Sequence, residues 1–225
     1  MAVIEGGVSG QLVGVGAESG SAAHIQAKPI DAGALGHYAV SVQTGAIAAG
    51  AAANAEVFQL RWSDASRLCV VTKIIVTGMR ATTAFAAGAI DIKATVARTW
   101  TASGSGGTAL TLTGEQAQLR TSFGTSLMGD MRIATTAALG AGTKTLDTQD
   151  LGTITTHSSG GWSAATPIVG QIYLPDNVLW KPDTGAGEHP LVLAQNEGVV
   201  VRATVPATGV WNIGVTVQWS EVTAY

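Results

Sequence analysis

Six tryptophans, four histidines, two close aspartates and several glycine-rich runs are the features of this 225-residue chain that could do chemistry. Tryptophan either stacks on a sugar ring or fills a subunit interface, where its ring is buried and its N–H is paired. Trp62, Trp211 and Trp219 stand in alternating apolar runs and are expected in the core. Trp100, Trp162 and Trp180 stand near strand ends or in loops, and a subunit interface is the favoured use for them over a glycan platform. His24, His37, His157 and His189 lack the spacing of a metal site. The pairs Asp147/Asp150 and Asp176/Asp183 could bind calcium or transfer protons, but no compact loop gathers the roughly six or more oxygens calcium takes. Structural or solvated roles are expected for them. Gly14-Val-Gly16-Ala-Glu-Ser-Gly20 misses the dinucleotide fingerprint by one position and lacks its flanking strand and helix. Ser103–Gly107 lacks the Gly-Lys-Ser/Thr ending of a phosphate loop, and there is no Gly-x-Ser-x-Gly elbow. One cysteine, Cys69, cannot form an internal disulfide. No catalytic, cofactor-binding or metal-binding residue is assigned, and the chain is not expected to be an enzyme.

The elements that would position these residues are strands. Phe58, Leu60 and Trp62 alternate with Val57, Gln59 and Arg61; Ile90, Ile92, Ala94 and Val96 alternate with Asp91, Lys93, Thr95 and Ala97. Val199, Val201, Ala203 and Val205 repeat the pattern. Trp211, Ile213, Val215, Val217 and Trp219 give the longest case, with Asn212, Gly214, Thr216, Gln218 and Ser220 opposite. Leu68 to Met79 is apolar nearly throughout and reads as a central strand. Pro206-Ala-Thr-Gly209 has the length and glycine of a hairpin connection, and Glu115–Leu119 could form a helical turn. Short strands, glycine-rich turns and almost no helix specify an all-β, two-layer β-sandwich with jelly-roll or Greek-key connections over residues 35–225. Residues 1–34 show no sustained period and read as an irregular N-terminal arm.

Composition narrows the function classes. A net charge of −3 argues against nucleic-acid binding, which draws its affinity from lysine and arginine on phosphates. Charged residues make up 12% of the chain, well under the usual ~25%. The first ten residues lack a basic, then apolar, signal sequence, and the alanine-glycine stretch from Ala46 to Ala55 is too short to span a bilayer. No membrane association is expected.

Several whole segments carry a resemblance. Glu56-Val-Phe-Gln-Leu-Arg-Trp62, Asp130-Met-Arg-Ile-Ala-Thr-Thr136 with Gly142-Thr-Lys-Thr-Leu-Asp147, Pro190–Gly198 and Val201–Gly209 resemble virion structural proteins of tailed bacteriophages, over roughly residues 35–225. The resemblance implies a capsid decoration (cement) protein that binds across major capsid subunits and acts by binding energy, with no cofactor. It implies a place on the capsid surface of the virion after synthesis in the host cytoplasm. Local three-fold positions on capsids make a homotrimer the expected assembly. The alternative is a head-fibre or tail-associated module that recognises host glycans through the loop tryptophans.

Overall fold

In the computed structural model, described residues are 3–6, 11–14, 36–48, 51, 53–83, 85–114, 117–158, 171–172, 177–183 and 187–225. They contain no helix. Residues 1–31 and 32–225 form separate units. In the first, β1 (Val3–Gly6) pairs antiparallel with β2 (Gln11–Gly14). Strand pairing therefore reaches into the segment read as an irregular arm: cross-strand hydrogen bonds form there without the alternation that marks a half-buried face.

The second unit is a two-layer β-sandwich. Its strands, in chain order, are β3 (His37–Gln43), β4 (Ala55–Trp62), β5 (Leu68–Thr83), β6 (Gly88–Ala102), β7 (Thr108–Ala109), β8 (Asp130–Ile133), β9 (Thr143–Leu146) and β10 (Gly152–Ser158). Then come β11 (Gln171–Ile172), β12 (Val178–Trp180), β13 (Leu191–Leu193), β14 (Glu197–Thr204) and β15 (Val210–Val222). Sheet 1 runs β10-β6-β14-β4-β8-β7, with β9 following β10's edge of β6; sheet 2 runs β3-β15-β5, with β11, β12 and β13 end to end along the far edge of β5. Every pairing is antiparallel.

The connectivity reduces to one long folded hairpin. β3, β4, β5 and β6 form its first arm. They pair in reverse order with β15, β14, the β11–β13 series and the β9/β10 series. Winding that hairpin over itself also sets β15 beside β5 and β14 beside β6. This is the strand order of a jelly roll. The β7–β8 pair widens sheet 1 beyond β4.

The alternating residues meet between the sheets. Phe58, Leu60, Trp62, Ile90, Ile92, Ala94, Val199 and Val201 from sheet 1 form one buried cluster with Val71, Ile74, Val76, Trp211, Ile213, Val215, Val217 and Trp219 from sheet 2. Tyr38 stacks on Trp219 with ring centroids 5.4 Å apart. Cys69 is fully buried in the same cluster, and burial drives its thiol pKa well up, as for a small inert hydrophobe.

Three expectations change. Val57 joins the core, because a register shift pairs Phe58 with Val201 but Glu56 with Arg202, leaving Val57 as the extra residue of a bulge. Pro206–Gly209 is not a hairpin turn: β14 and β15 lie in different sheets, so the segment crosses the sandwich. Turn-forming residues signal a reversal of direction without fixing the plane in which the chain reverses. Glu115 and Gln116 lie outside the described residues, but Gln118 bridges Tyr38 as a strand residue would, so the end of that segment is not helical.

Candidate functional site: the outer faces and the open side

The residues that could do chemistry are mostly consumed by structure. Trp62, Trp211 and Trp219 are in the core as expected. Trp100 is not an exposed platform. It is 0% exposed and packs with Ala97, Val200 and Leu146 in a small second core on the outer face of sheet 1. Gly198 makes room for it, since a Cβ there would lie 2.7 Å from the indole. The Trp100 indole N–H donates to the Ala102 carbonyl at 3.0 Å, and the Lys144 ammonium sits 4.5 Å from the ring centroid. Alternation alone marks Trp100 as a strand-end residue. What buries it is the passage of β9 alongside β6, a contact distant in sequence. Trp180 is half-buried against the main core, and Trp162 lies outside the described residues. Of the described loop tryptophans, neither Trp100 nor Trp180 stands fully exposed as a stacking platform.

Asp147 and Asp150 go to different partners. Asp147 receives Arg98 at 3.2 and 3.3 Å, while Asp150 receives Arg202 at 2.7 Å, Thr95 at 2.7 Å and Lys93 at 3.3 Å. Burial acts to raise the Asp150 pKa, but hydrogen bonds from Thr95, Arg202 and Lys93 outweigh it and hold the carboxyl below its usual range. Asp183 is exposed; its N–H donates to Glu188 at 2.7 Å, and Asp176 lies outside the described residues. His37, His157 and His189 sit on β3, on β10 and before β13, the last edge-on to Tyr225; His24 lies outside the described residues. Among the described residues no three His, Cys, Asp or Glu side chains are grouped to hold a metal.

Sequence reasoning missed two polar centres. Arg61 donates to the carbonyls of Trp100 and Thr101 and to the side chains of Ser103 and Asn196, tying the turn after β6 to the start of β14. Glu221 is buried, accepting from Ser126 Oγ at 2.6 Å, from the Leu127 N–H at 3.0 Å and from the Trp219 indole at 3.3 Å. Burial pushes its carboxyl above the ordinary range despite those donors. Its place two residues after Trp219, on the same inward face of an amphipathic strand, was the available signal.

The two outer faces differ. The ion pairs Lys93–Asp150, Arg202–Asp150, Arg98–Asp147, Arg98–Glu197, Arg132–Asp130 and Lys144–Glu56 all lie along the outer face and rim of sheet 1. Sheet 2 presents Ser41, Gln43, Asn212, Thr216, Gln218 and Thr77; among its described outward side chains, Lys73 carries the one fixed charge.

The two sides of the sandwich also differ. On one, β10 and β12 approach so closely that a Cβ on Gly152 would collide with the Leu179 carbonyl. On the other, a groove of about 280 Å³ opens between β3 and Leu110, Thr111, Leu112 and Ala117. It is lined by Val40, Val42, Leu110, Leu112 and Ala117, with Ser41 at its rim. The chain matches no known protein family, no curated protein and no solved structure.

Proposed function

We propose that this chain is a structural protein of a tailed-bacteriophage particle, a capsid decoration protein that binds across major capsid subunits and stabilises the head. The observation that carries the reading is the division of the surface. One outer face has its charges paired among themselves, and the described residues of the other are mainly small and polar, with Lys73 their one fixed charge. A lattice-binding protein needs the second kind of surface, because docking it does not strip water from unpaired charges. The jelly-roll order supports the reading as an architecture common to capsid proteins, and architecture alone does not fix function. The action is adhesion. Many copies engage one lattice, so high effective concentration makes modest single-site affinity sufficient.

The test is to label particles of the phage or prophage that encodes the chain with antibody against it. Label on heads, together with co-sedimentation of the full chain with heads lacking it, is the expected result. Label on tails or fibres, or protein left entirely in the soluble lysate, would overturn the assignment. A glycan array separates the alternative, since the decoration reading requires no sugar affinity.

A further inference from the structure

We propose that the free edge of β3 is a self-association site, at which two copies of this chain pair β3 to β3 antiparallel about a two-fold axis through Val42. The proposal goes beyond the decoration reading and does not depend on it.

The argument begins with backbone direction. β3 pairs with β15 through its even-numbered residues, as the Thr44 N–H donating to Ile213 at 2.9 Å continues to show. The odd residues therefore point their amides and carbonyls away from the sheet. Two of these are already taken: Ala39 N–H donates to Ala117 at 2.8 Å, and Leu119 N–H donates to His37 at 2.9 Å. Past Ala39 no described residue pairs with the outward amides and carbonyls of Ser41 and Gln43. Both residues are exposed.

Unpaired edges invite strand addition, and monomeric proteins blunt them with charge, proline, bulges or short strands. The other edges here are blunted. β7 is two residues long, the β11–β13 edge is cut into short pieces with a register shift at Val178/Trp180, and β9 and β10 are interrupted between Leu146 and Gly152. β3 is regular across its whole pairing with β15 and carries neither charge nor proline from Tyr38 to Gln43.

The occupant follows from the edge's own geometry. Ala117 already stands opposite Ala39, so an incoming strand can pair only with the edge beyond Ala39, which no described residue takes. In an antiparallel pairing with Ser41 facing Gln43 of a second copy, each outward N–H meets an outward carbonyl, and the free groups of both residues are used on both copies. Val42 then faces Val42 of the other copy as a non-hydrogen-bonded pair, the arrangement in which side chains approach closest. Val42 is half-buried on the inner face and lines the open groove, so its counterpart adds apolar surface at the side where the sandwich is unclosed. The lining holds no charge, so two identical copies meet without repulsion. A two-fold pair departs from the trimer expected on symmetry grounds alone.

Disulfide trapping tests the contact directly. In a non-hydrogen-bonded antiparallel pair the Cα atoms lie ~4.5 Å apart, within disulfide range. The full chain carrying Val42→Cys should form a disulfide-linked dimer under mild oxidation, while Ala48→Cys, exposed and off the edge, should not; buried Cys69 gives no background. Sedimentation equilibrium should show a concentration-dependent dimer of the unmodified chain, weakened at least ~10-fold by Gln43→Pro, which removes an outward N–H. A monomer at all concentrations, a trimer, or a dimer that survives Gln43→Pro without a Val42→Cys crosslink would overturn the proposal. The last result would place the contact elsewhere, the N-terminal segment included.

Discussion

Sheet 1 and sheet 2 share one core but treat water in opposite ways. On the outer face of sheet 1 charged groups are brought close and neutralised: Lys93, Arg202 and Thr95 converge on Asp150, and Lys144 and Gln59 converge on Glu56. On the outer side of sheet 2, hydroxyl and amide groups replace charge, with Thr216 donating to Ser41 across the strands at 2.9 Å. Among the described residues there, His37 Nε2, Ser220 Oγ and Asn212 Oδ1 are buried without a partner, whereas near the sheet 1 ion pairs Gln59 Oε1 alone is left so. A face that satisfies itself gains little from a partner. One that leaves a strand edge open has backbone hydrogen-bonding capacity to offer. On the proposed reading, adhesion belongs on the side of sheet 2.

The sharpest way to break that comparison is to place one charge on each side of the same strand. Val215→Asp would bury an unpaired carboxylate in the shared core at a cost of several kcal/mol, comparable with a whole domain's ~5–15 kcal/mol, and should unfold the sandwich. Thr216→Asp, one residue on and facing out, should cost less than about 1 kcal/mol. Equal urea midpoints for the two would refute the register. Next in size, Trp100→Ala should lose about 3–5 kcal/mol in chemical denaturation, the usual cost of emptying a buried aromatic site. A near-neutral result would show Trp100 to be a surface residue and return it to the ligand-binding candidates.

Smaller effects separate the polar systems. Arg202→Ala leaves Asp150 with Thr95 and Lys93 only and should cost about 1–3 kcal/mol, whereas Thr216→Ala on the opposite face should stay within about 0.5 kcal/mol. Similar losses would mean that the sheet 1 ion pairs contribute no more than surface hydroxyls. The smallest effect is one of pH, and its sign differs between two carboxyls. Burial holds Glu221 above the ordinary glutamate value of 4.5, so the folded chain keeps that proton to higher pH than the unfolded one. Its contribution to stability therefore falls as pH rises from 4.5 through the folded pKa, with Arg67, Tyr38 and Cys69 as its ionisable neighbours. Asp150 is held below its model value of 3.8, so its contribution is present above 3.8 and disappears as pH falls through the folded pKa. Melting curves against pH should lose the first slope in Glu221→Gln and the second in Asp150→Asn.

How much of this was legible in the chain follows from the range of the interactions involved. Alternation is local, so β6, β14 and β15 and their inward residues could be read directly, as could the central place of β5. Pairing is not local. Nothing near Trp100 announces that β9 will cover it, and nothing near Val57 announces a bulge whose cause is the register of β14. The Glu221 cluster needs Ser126 and Leu127, 95 and 94 residues away along the chain. Asp147 and Asp150 take partners on β6 and β14 that lay beyond any spacing rule.

The position of β15 has a consequence for biosynthesis. It lies between β3 and β5, and the Glu221 N–H donates to the Gly36 carbonyl at 3.0 Å, so the first and last parts of the body are joined within one sheet. On the ribosome, β3 and β5 must wait for the strand that joins them until β15 has emerged. Such late, non-local closure makes folding slow and leaves sticky edges in the nascent protein. A translation product stopped before Val210 would lack the strand that holds sheet 2 together, and quality control would meet it as an open, aggregation-prone half-sandwich.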